Sequence, residues 1–388
     1  MNVVFDRLGD LSVDRFMQEY WQKKPLLIRN LFGEWTAPLS PEELLNLATR
    51  EDADSRLILT GSDPVELYHG PFEDGELKDL PATEWTVLVQ ETDRLLPAVA
   101  DLLGRFRFLP NWRLDDVMIS YAAPGGGVGA HTDQYDVFLI QGSGRRRWEI
   151  ETRPRSNPVW RDDSEVAMLA EFEPDAVWEL EPGDVLYLPP MIPHNGIALE
   201  PCMTISVGCR APGTGELLAG VLGYAAEDWA DEDRYSDPDA VATPDPGLLS
   251  ADARAVLRDR VRRAVADDDL LDRWLGRYVT EPSRGHSGLP PKRWISLNGL
   301  RRRLDAGATL RPAVVSQTAY TEQADGAVTL FVSGQAYPMP VGSAVAARLL
   351  TGARPLDAAT LEPLLAESAL TELLVTLVNA GALVVRER

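Results

Sequence analysis

Between residues 115 and 210 apolar and polar positions alternate in short runs interrupted by Gly and Pro, which is the period-two signature of β-strands. Residues 117–121, 136–141, 147–150, 176–180, 185–190 and 203–208 read as strands, with Gly142-Ser143-Gly144 and Glu181-Pro182-Gly183-Asp184 as turns. Many short strands with Gly and Pro turns predict a closed or two-sheet β architecture such as a jelly roll.

On either side the period changes to that of helices. Ser12 can cap a helix with Phe16, Met17, Tyr20 and Trp21 on its apolar face, and Lys23-Lys24-Pro25 ends it before a strand at 26–28. Ser40-Pro41-Glu42-Glu43 is a capping box with Pro at the first helical position. Residues 56–59 read as a strand and 95–106 as a helix. Beyond 211, Ser250 caps a helix carrying Leu257, Val261 and Val265, and Leu271, Trp274, Leu275 and Tyr278 extend the apolar set. The acidic stretch 228–245 with its two prolines reads as an exposed loop.

From residue 284 the expected order is a short helix (Leu297, Leu300, Leu304), then strands at 316–321 and 328–332 around the turn Gln323-Ala324-Asp325-Gly326. Further helices follow, the last bearing Leu370, Leu373, Leu374 and Leu377 and ended by Gly381, before a strand at 383–385. The chain is therefore expected to be α+β, with a β-rich unit over 1–210, a helical segment over 211–283 and a winged-helix-like unit over 284–388. An apolar-faced helical pair beside a β core supplies a dimer contact or packs within its own chain.

Composition narrows the class. At 388 residues two or three domains are expected, and 45% hydrophobic with 25% charged residues describes a soluble globular chain. No apolar run is long enough to span a bilayer, and the first residues lack a signal-peptide core. Cys202 and Cys209, the only cysteines, offer no disulfide framework and fit a reducing cytoplasm, the expected location. The net charge of −22 is uneven: 11 Lys+Arg stand against 8 Asp+Glu from Arg284 onward, leaving 27 against 52 before it. An acidic body repels nucleic acid and attracts basic partners, and it equally serves solubility. The weak positive balance of the last third gives little support for nucleic-acid binding.

The candidate chemistry lies in Pro124-Gly-Gly-Gly-Val-Gly-Ala-His131-Thr132-Asp133, with His194 further along. Two histidines and one carboxylate form the facial triad that holds Fe(II) and leaves the opposite face open to oxygen and a co-substrate. These donors suit Fe, Mn, Ni or Zn better than Mg or Ca. On a strand, His131 and Asp133 would share one face while Thr132 turned away. An open-faced iron needs an electron donor, commonly 2-oxoglutarate, whose distal carboxylate calls for a fixed arginine. Alternation puts Arg146 and Trp148 on one face and Arg145 and Arg147 on the other, which selects Arg146. The glycine run lacks Gly-Lys-Ser/Thr and opens no helix, so it reads as a close backbone turn rather than a phosphate loop. No Gly-x-Ser-x-Gly occurs, no base is paired with either cysteine, and His69 and His286 read as structural or exposed.

Several blocks together resemble the JmjC-type, cupin-like 2-oxoglutarate oxygenases, and within them the bacterial ribosomal oxygenases. They are Tyr20-Trp-Gln-Lys-Lys-Pro-Leu-Leu-Ile28, Pro124-Gly-Gly-Gly-Val128, His131-Thr-Asp-Gln-Tyr-Asp-Val-Phe138, Gln141-Gly-Ser-Gly-Arg-Arg-Arg-Trp148, and Pro182-Gly183-Asp184 leading to His194. The resemblance is dense from about residue 12 to 210. Beyond that it extends only to the layout, a helical dimerisation segment followed by a winged helix. It implies a double-stranded β-helix enzyme, acting as a homodimer, that hydroxylates the β-carbon of an arginine in a large-subunit ribosomal protein. It further implies that His131, Asp133 and His194 ligate Fe(II), that Arg146 holds 2-oxoglutarate, and that O2 is the second co-substrate. A hydroxyl from the strand before the glycine run often joins the co-substrate site in relatives. Ser120 can supply it here, Ala122 on the same face cannot, and Ser206 is the other candidate. Histidine as the modified residue, and a non-catalytic binding module, are the competing readings.

Overall fold

Capping chemistry sets the N-terminal elements. The computed structural model describes residues 4–387 except 63, 74, 228–233, 240, 243–244, 283–289, 314–315 and 353. Strands β1 (Arg7–Leu8) and β2 (Leu11–Ser12) pair, and the Ser12 hydroxyl accepts the Arg15 N–H to start α1 (Val13–Glu19). After β3 (Leu26–Ile28), α2 (Pro41–Ala48) begins with the full reciprocal box between Ser40 and Glu43. The helix expected over 95–106 is instead α3 (Thr92–Leu95), α4 (Pro97–Leu103) and a 3-10 turn (Gly104–Phe106). Pro97 is the cause: it excludes the preceding residue from helical geometry, and Leu96 is extended at φ −128°, ψ 116°.

The β-rich part contains β4 (Ser55–Leu59), β5 (Glu66–His69), β6 (Trp85–Val89), β7 (Leu114–Ala122), β8 (Val137–Ser143) and β9 (Arg146–Ile150). It continues through β10 (Ala176–Leu180), β11 (Val185–Leu188), β12 (His194–Ala198) and β13 (Cys202–Cys209). Eight strands form one antiparallel sheet in the order β3-β11-β8-β13-β7-β6-β4-β5, and three form a second in the order β10-β9-β12. Alternation divides each strand between two cores. Val137, Leu139, Leu186 and Leu188 pack on Trp148, Ile150 and Leu180 of the small sheet, so the sheets face one another. Phe138, Ile140, Val185 and Tyr187 turn the other way, onto Phe16, Leu44 and Phe106 from the N-terminal helices. The two-sheet β core anticipated from the alternation is thus present, with one refinement at 142–144. Gly142 and Ser143 remain in β8, and the chain turns at Gly144, whose φ is +59°.

The chain divides into Met1–Ala211 and Pro212–Arg388. In the second unit α5 (Thr214–Glu227), α6 (Ala251–Ala264) and α7 (Asp268–Tyr278) precede α8 (Leu297–Asp305). The remaining elements are β14 (Thr309–Pro312), β15 (Thr318–Glu322), β16 (Val328–Val332), β17 (Gln335–Met339), α9 (Ala344–Thr351), α10 (Ala358–Leu365), α11 (Ser368–Asn379) and β18 (Leu383–Arg386). The β15–β16 hairpin turns at Gly326 with φ +81°, and Gly381 at φ +77° ends α11. Leu257 and Val261, placed by periodicity on an apolar face, are exposed. Much of the acidic stretch 228–245, and His286, lie outside the described residues, while His69 is exposed on β5. Among the described residues no helix is long and apolar enough to cross a membrane.

The glycine run is a site of backbone-to-backbone contact. A Cβ on Gly126 would stand 2.1 Å from the Trp85 carbonyl oxygen, and one on Gly127 would stand 2.4 Å from that of Gly196. Neither neighbour is a movable side-chain end, so relief requires a strand to shift. Gly126→Ala is expected to destabilise the protein by about 1–3 kcal/mol and lower its melting temperature in calorimetry. Gly213→Ala, whose Cβ meets nothing within 4 Å, serves as control. Equal melting temperatures for the two variants would refute the close-contact account.

Candidate metal and co-substrate site

His194 opens β12, and His131 faces it in an isolated antiparallel bridge. Each backbone N–H donates to the other's carbonyl, at 3.0 Å from His131 and 2.9 Å from His194. Expectation and structure differ here, because 131–136 is not a regular strand: only His131 is bridged, and Asp133 lies in irregular backbone. The consequence foreseen from a strand still holds for the ligating atoms. Asp133 stands 3.9 Å from His131 Nε2 through Oδ1 and 3.6 Å from His194 Nε2 through Oδ2. One donor atom from each of the three residues lies within 4.8 Å of the other two.

The imidazole tautomers follow from their second nitrogens. His131 Nδ1 lies 3.0 Å from the Gly129 carbonyl and His194 Nδ1 lies 2.9 Å from the Ile192 carbonyl. A carbonyl only accepts, so each Nδ1 carries the proton and each Nε2 presents its lone pair toward Asp133. Donors about 2.1 Å from one ion can be at most about 4.2 Å apart, and both imidazole–carboxylate separations fall inside that limit. The donor set therefore fits a divalent transition metal, with two nitrogens and one oxygen. His194 is almost fully buried, and burial, with His131 adding to it, lowers its pKa to about 4. It is the neutral ligand form at neutral pH.

From the triad the inner faces of both sheets lead to Arg146. On β9, Arg146, Trp148 and Ile150 alternate inward, and Arg146 is 3% exposed. Its guanidinium carbon lies 5.7 Å from the Trp148 ring centre, which is itself 5.7 Å from that of His194. Arg146 Nε and Nη2 are buried with no hydrogen-bond acceptor among the described residues. A buried cation with unmet donors is costly unless an anion completes it, and a carboxylate matches its fork. Ser120 and Ser206 are both buried, on β7 and β13.

Two polar residues of the interior, Thr204 and Gln141, are given no site role by the sequence patterns. Thr204 on β13 is laterally paired with Ser120 on β7 and with Gln141 on β8, which sets the three side by side across the large sheet. Thr204 Oγ1 and Gln141 Oε1 are also buried without a partner among the described residues. The signal was available: Thr204 shares its parity with Ser206, opposite the apolar Met203, Ile205 and Val207. Elsewhere, burial and then Asp136 push the Tyr187 phenol far above its ordinary range, so it remains a hydrogen-bond donor. Burial and Asp136 likewise raise the Cys209 thiol.

In the metal-free protein the His194 ring is expected to titrate near pH 4, against an ordinary 6.5. Imidazole NMR shifts followed from pH 3 to 8 measure this, and a midpoint above about 6 would contradict the burial argument.

Comparison with known proteins agrees with this geometry. Residues 101–217 match the JmjC domain model and residues 263–384 match the ROXA-like winged helix model. The ribosomal protein uL16 3-hydroxylase of Escherichia coli (strain K12) is 38% identical over 277 residues, covering 71% of this chain and 74% of that protein. A probable ribosomal oxygenase of Haemophilus influenzae is 37% identical over 221 residues, covering 56% of this chain and 54% of its own. The solved structure of YcfD, a ribosomal oxygenase from Escherichia coli in complex with cobalt and 2-oxoglutarate, superposes with a TM-score of 0.84 at 32% identity. It covers 98% of this chain and 99% of its own. With a facing-sheet β core, a His-Asp-His cluster between the sheets and relatives that match along most of both chains, this protein belongs to the bacterial JmjC-domain ribosomal oxygenases.

Proposed function

We propose that this chain is an Fe(II)- and 2-oxoglutarate-dependent dioxygenase that hydroxylates the β-carbon of an arginine in the large-subunit ribosomal protein uL16. The observation that carries the reading is the meeting of His131 Nε2, His194 Nε2 and the Asp133 carboxylate in one cluster inside a β core. The assigned position on the substrate rests on the name borne by the Escherichia coli relative. A ribosomal-protein substrate supports a cytoplasmic location.

His131, Asp133 and His194 would hold the iron. Iron bound there would, with 2-oxoglutarate and O2, supply the oxidising power. Arg146 pairs with the distal carboxylate of 2-oxoglutarate, and its buried, unmet Nε and Nη2 are the support for that role. Ser120 donates a second hydrogen bond to that carboxylate, and Thr204, beside it in the sheet, shares this polar wall. Trp148 and the apolar cluster around Ile150 and Leu186 exclude water from the interior. The acidic body, with 52 Asp+Glu before Arg284, suits a basic ribosomal protein. Pairing into a homodimer occurs through 211–283, supported by Leu218, Leu222, Val256, Leu257 and Val261, which lie exposed on α5 and α6.

Purified protein incubated with Fe(II), 2-oxoglutarate and uL16 is expected to add one oxygen to a single arginine, read by tandem mass spectrometry of the digest. Oxygen on a histidine would favour the competing target, and absence of both modified peptide and succinate would defeat the enzymatic reading. His131→Ala should abolish turnover while leaving the circular-dichroism spectrum unchanged. Arg146→Ala loses a charge-assisted bidentate contact of about 1.5–3 kcal/mol, so the 2-oxoglutarate KM should rise by roughly one to two orders of magnitude. An unchanged KM would move the anchor elsewhere. Leu222→Lys combined with Val261→Glu should yield monomers by light scattering, and a persistent dimer would exclude this face.

A further inference from the structure

The segment that carries two of the three ligands has no strand ladder to hold it, yet both of its ends are fixed. His131 is tied to His194 through their backbones, and the Asp133 carbonyl accepts the Met191 N–H at 2.7 Å. Gln134 and Tyr135 are exposed, and the chain then dives to Asp136, whose side chain is fully buried. Its carboxylate accepts three donors. The Tyr187 hydroxyl lies 2.6 Å from Oδ1, while the Gln22 side-chain amide and the Arg113 guanidinium lie 3.0 and 2.9 Å from Oδ2.

The donors are themselves held. Tyr187 oxygen accepts the Gln22 backbone N–H at 2.7 Å, and Trp21 stacks on the Tyr187 ring at 5.7 Å. The Arg113 guanidinium stands 5.2 Å from the Trp21 ring centre. Gln22 adopts φ +56°, a left-handed backbone that costs a non-glycine residue on the order of 1–2 kcal/mol. That conformation accompanies the use of both its backbone N–H and its side-chain amide in one network. Packing alone asks for none of this, since an apolar side chain at 136 would avoid the desolvation cost of a buried carboxylate.

We infer that Asp136 is a positioning residue: with Gln22, Arg113 and Tyr187 it anchors the far end of the ligand-bearing segment and thereby fixes where Asp133 presents its carboxylate. This rests on the reading of His131, Asp133 and His194 as metal ligands. It also gives the block Tyr20-Trp-Gln-Lys-Lys-Pro25 a task, since that block brings Gln22 and Trp21 to a carboxylate three residues beyond a ligand. The segment behaves as a short bridge clamped at both ends. Releasing one clamp lets Asp133 sample positions from which it cannot complete the donor set.

The test measures Co(II) binding to the full-length protein by calorimetry and by its visible ligand-field absorption, apart from turnover. Wild-type protein should bind with a defined spectrum. Asp136→Asn, close in shape but without the charge, should raise the Co(II) dissociation constant at least tenfold and change the absorption envelope. Tyr187→Phe and Gln22→Ala, each removing one donor, should raise it about threefold or more, and they carry the comparison if Asp136→Asn fails to fold. Val99→Ala, a core truncation in the same unit, controls for lost stability and should stay within twofold of wild type. Network variants within twofold of wild type, or a Val99→Ala effect of equal size, would overturn the positioning role while leaving the metal site standing. No Co(II) uptake by the wild type would instead overturn the metal assignment, and the positioning role with it.

Discussion

Everything at the site depends on the reciprocal pair of backbone hydrogen bonds between His131 and His194. It brings two ligands from distant parts of the chain into register, where neither histidine could find the other by local propensity. Each ring is then oriented by a carbonyl two residues before it, from Gly129 and from Ile192. Such short-range contacts are cheap to form once the bridge exists, and they settle which nitrogen faces the cavity. Geometry and tautomer thus share a single cause, the pairing of an irregular segment with the first residue of β12.

The facing sheets turn that local pair into a chemical compartment. Strand alternation turns Leu139, Leu186, Trp148 and Ile150 into the interior together with Ser120, Thr204, Gln141 and Arg146. Polar groups there cannot satisfy one another completely, as the unmet atoms of Arg146, Thr204 and Gln141 attest. Natural interiors rarely tolerate unmet polar atoms, so their occurrence on the two facing sheets, Arg146 on one and Thr204 and Gln141 on the other, marks an interior shaped for a ligand rather than for packing.

Much of this was legible in the sequence where a local rule governs the outcome. The parity of β9 exposes Arg146 as the inward arginine, and the N-cap at Ser12 and the capping box at Ser40 mark helix starts directly. Legibility fails where nonlocal contacts decide. Nothing local reveals that 131–136 leaves the strand conformation, because its hydrogen bonds go to Met191 and His194. The buried carboxylate of Asp136 is equally silent, since its partners sit near residues 22, 113 and 187. The break of the helix at Leu96 was readable from Pro97, and Thr204 from its parity with Ser206. The information was present in both cases, outweighed by a stronger apolar pattern around it.

The two cysteines bear on how such a protein survives its own reagents. Cys202 and Cys209 are free and enclosed in β13, and Cys209, whose N–H donates to the Asp136 carbonyl, has its thiol pushed up by burial and by that residue's charge. Thiolates, rather than thiols, are what oxidants attack and what soft metals prefer. A sulfur kept protonated and away from solvent is therefore neither a rival ligand nor a sacrificial target. Chemistry that consumes O2 thus runs beside a β core that keeps Cys209 in its unreactive thiol form.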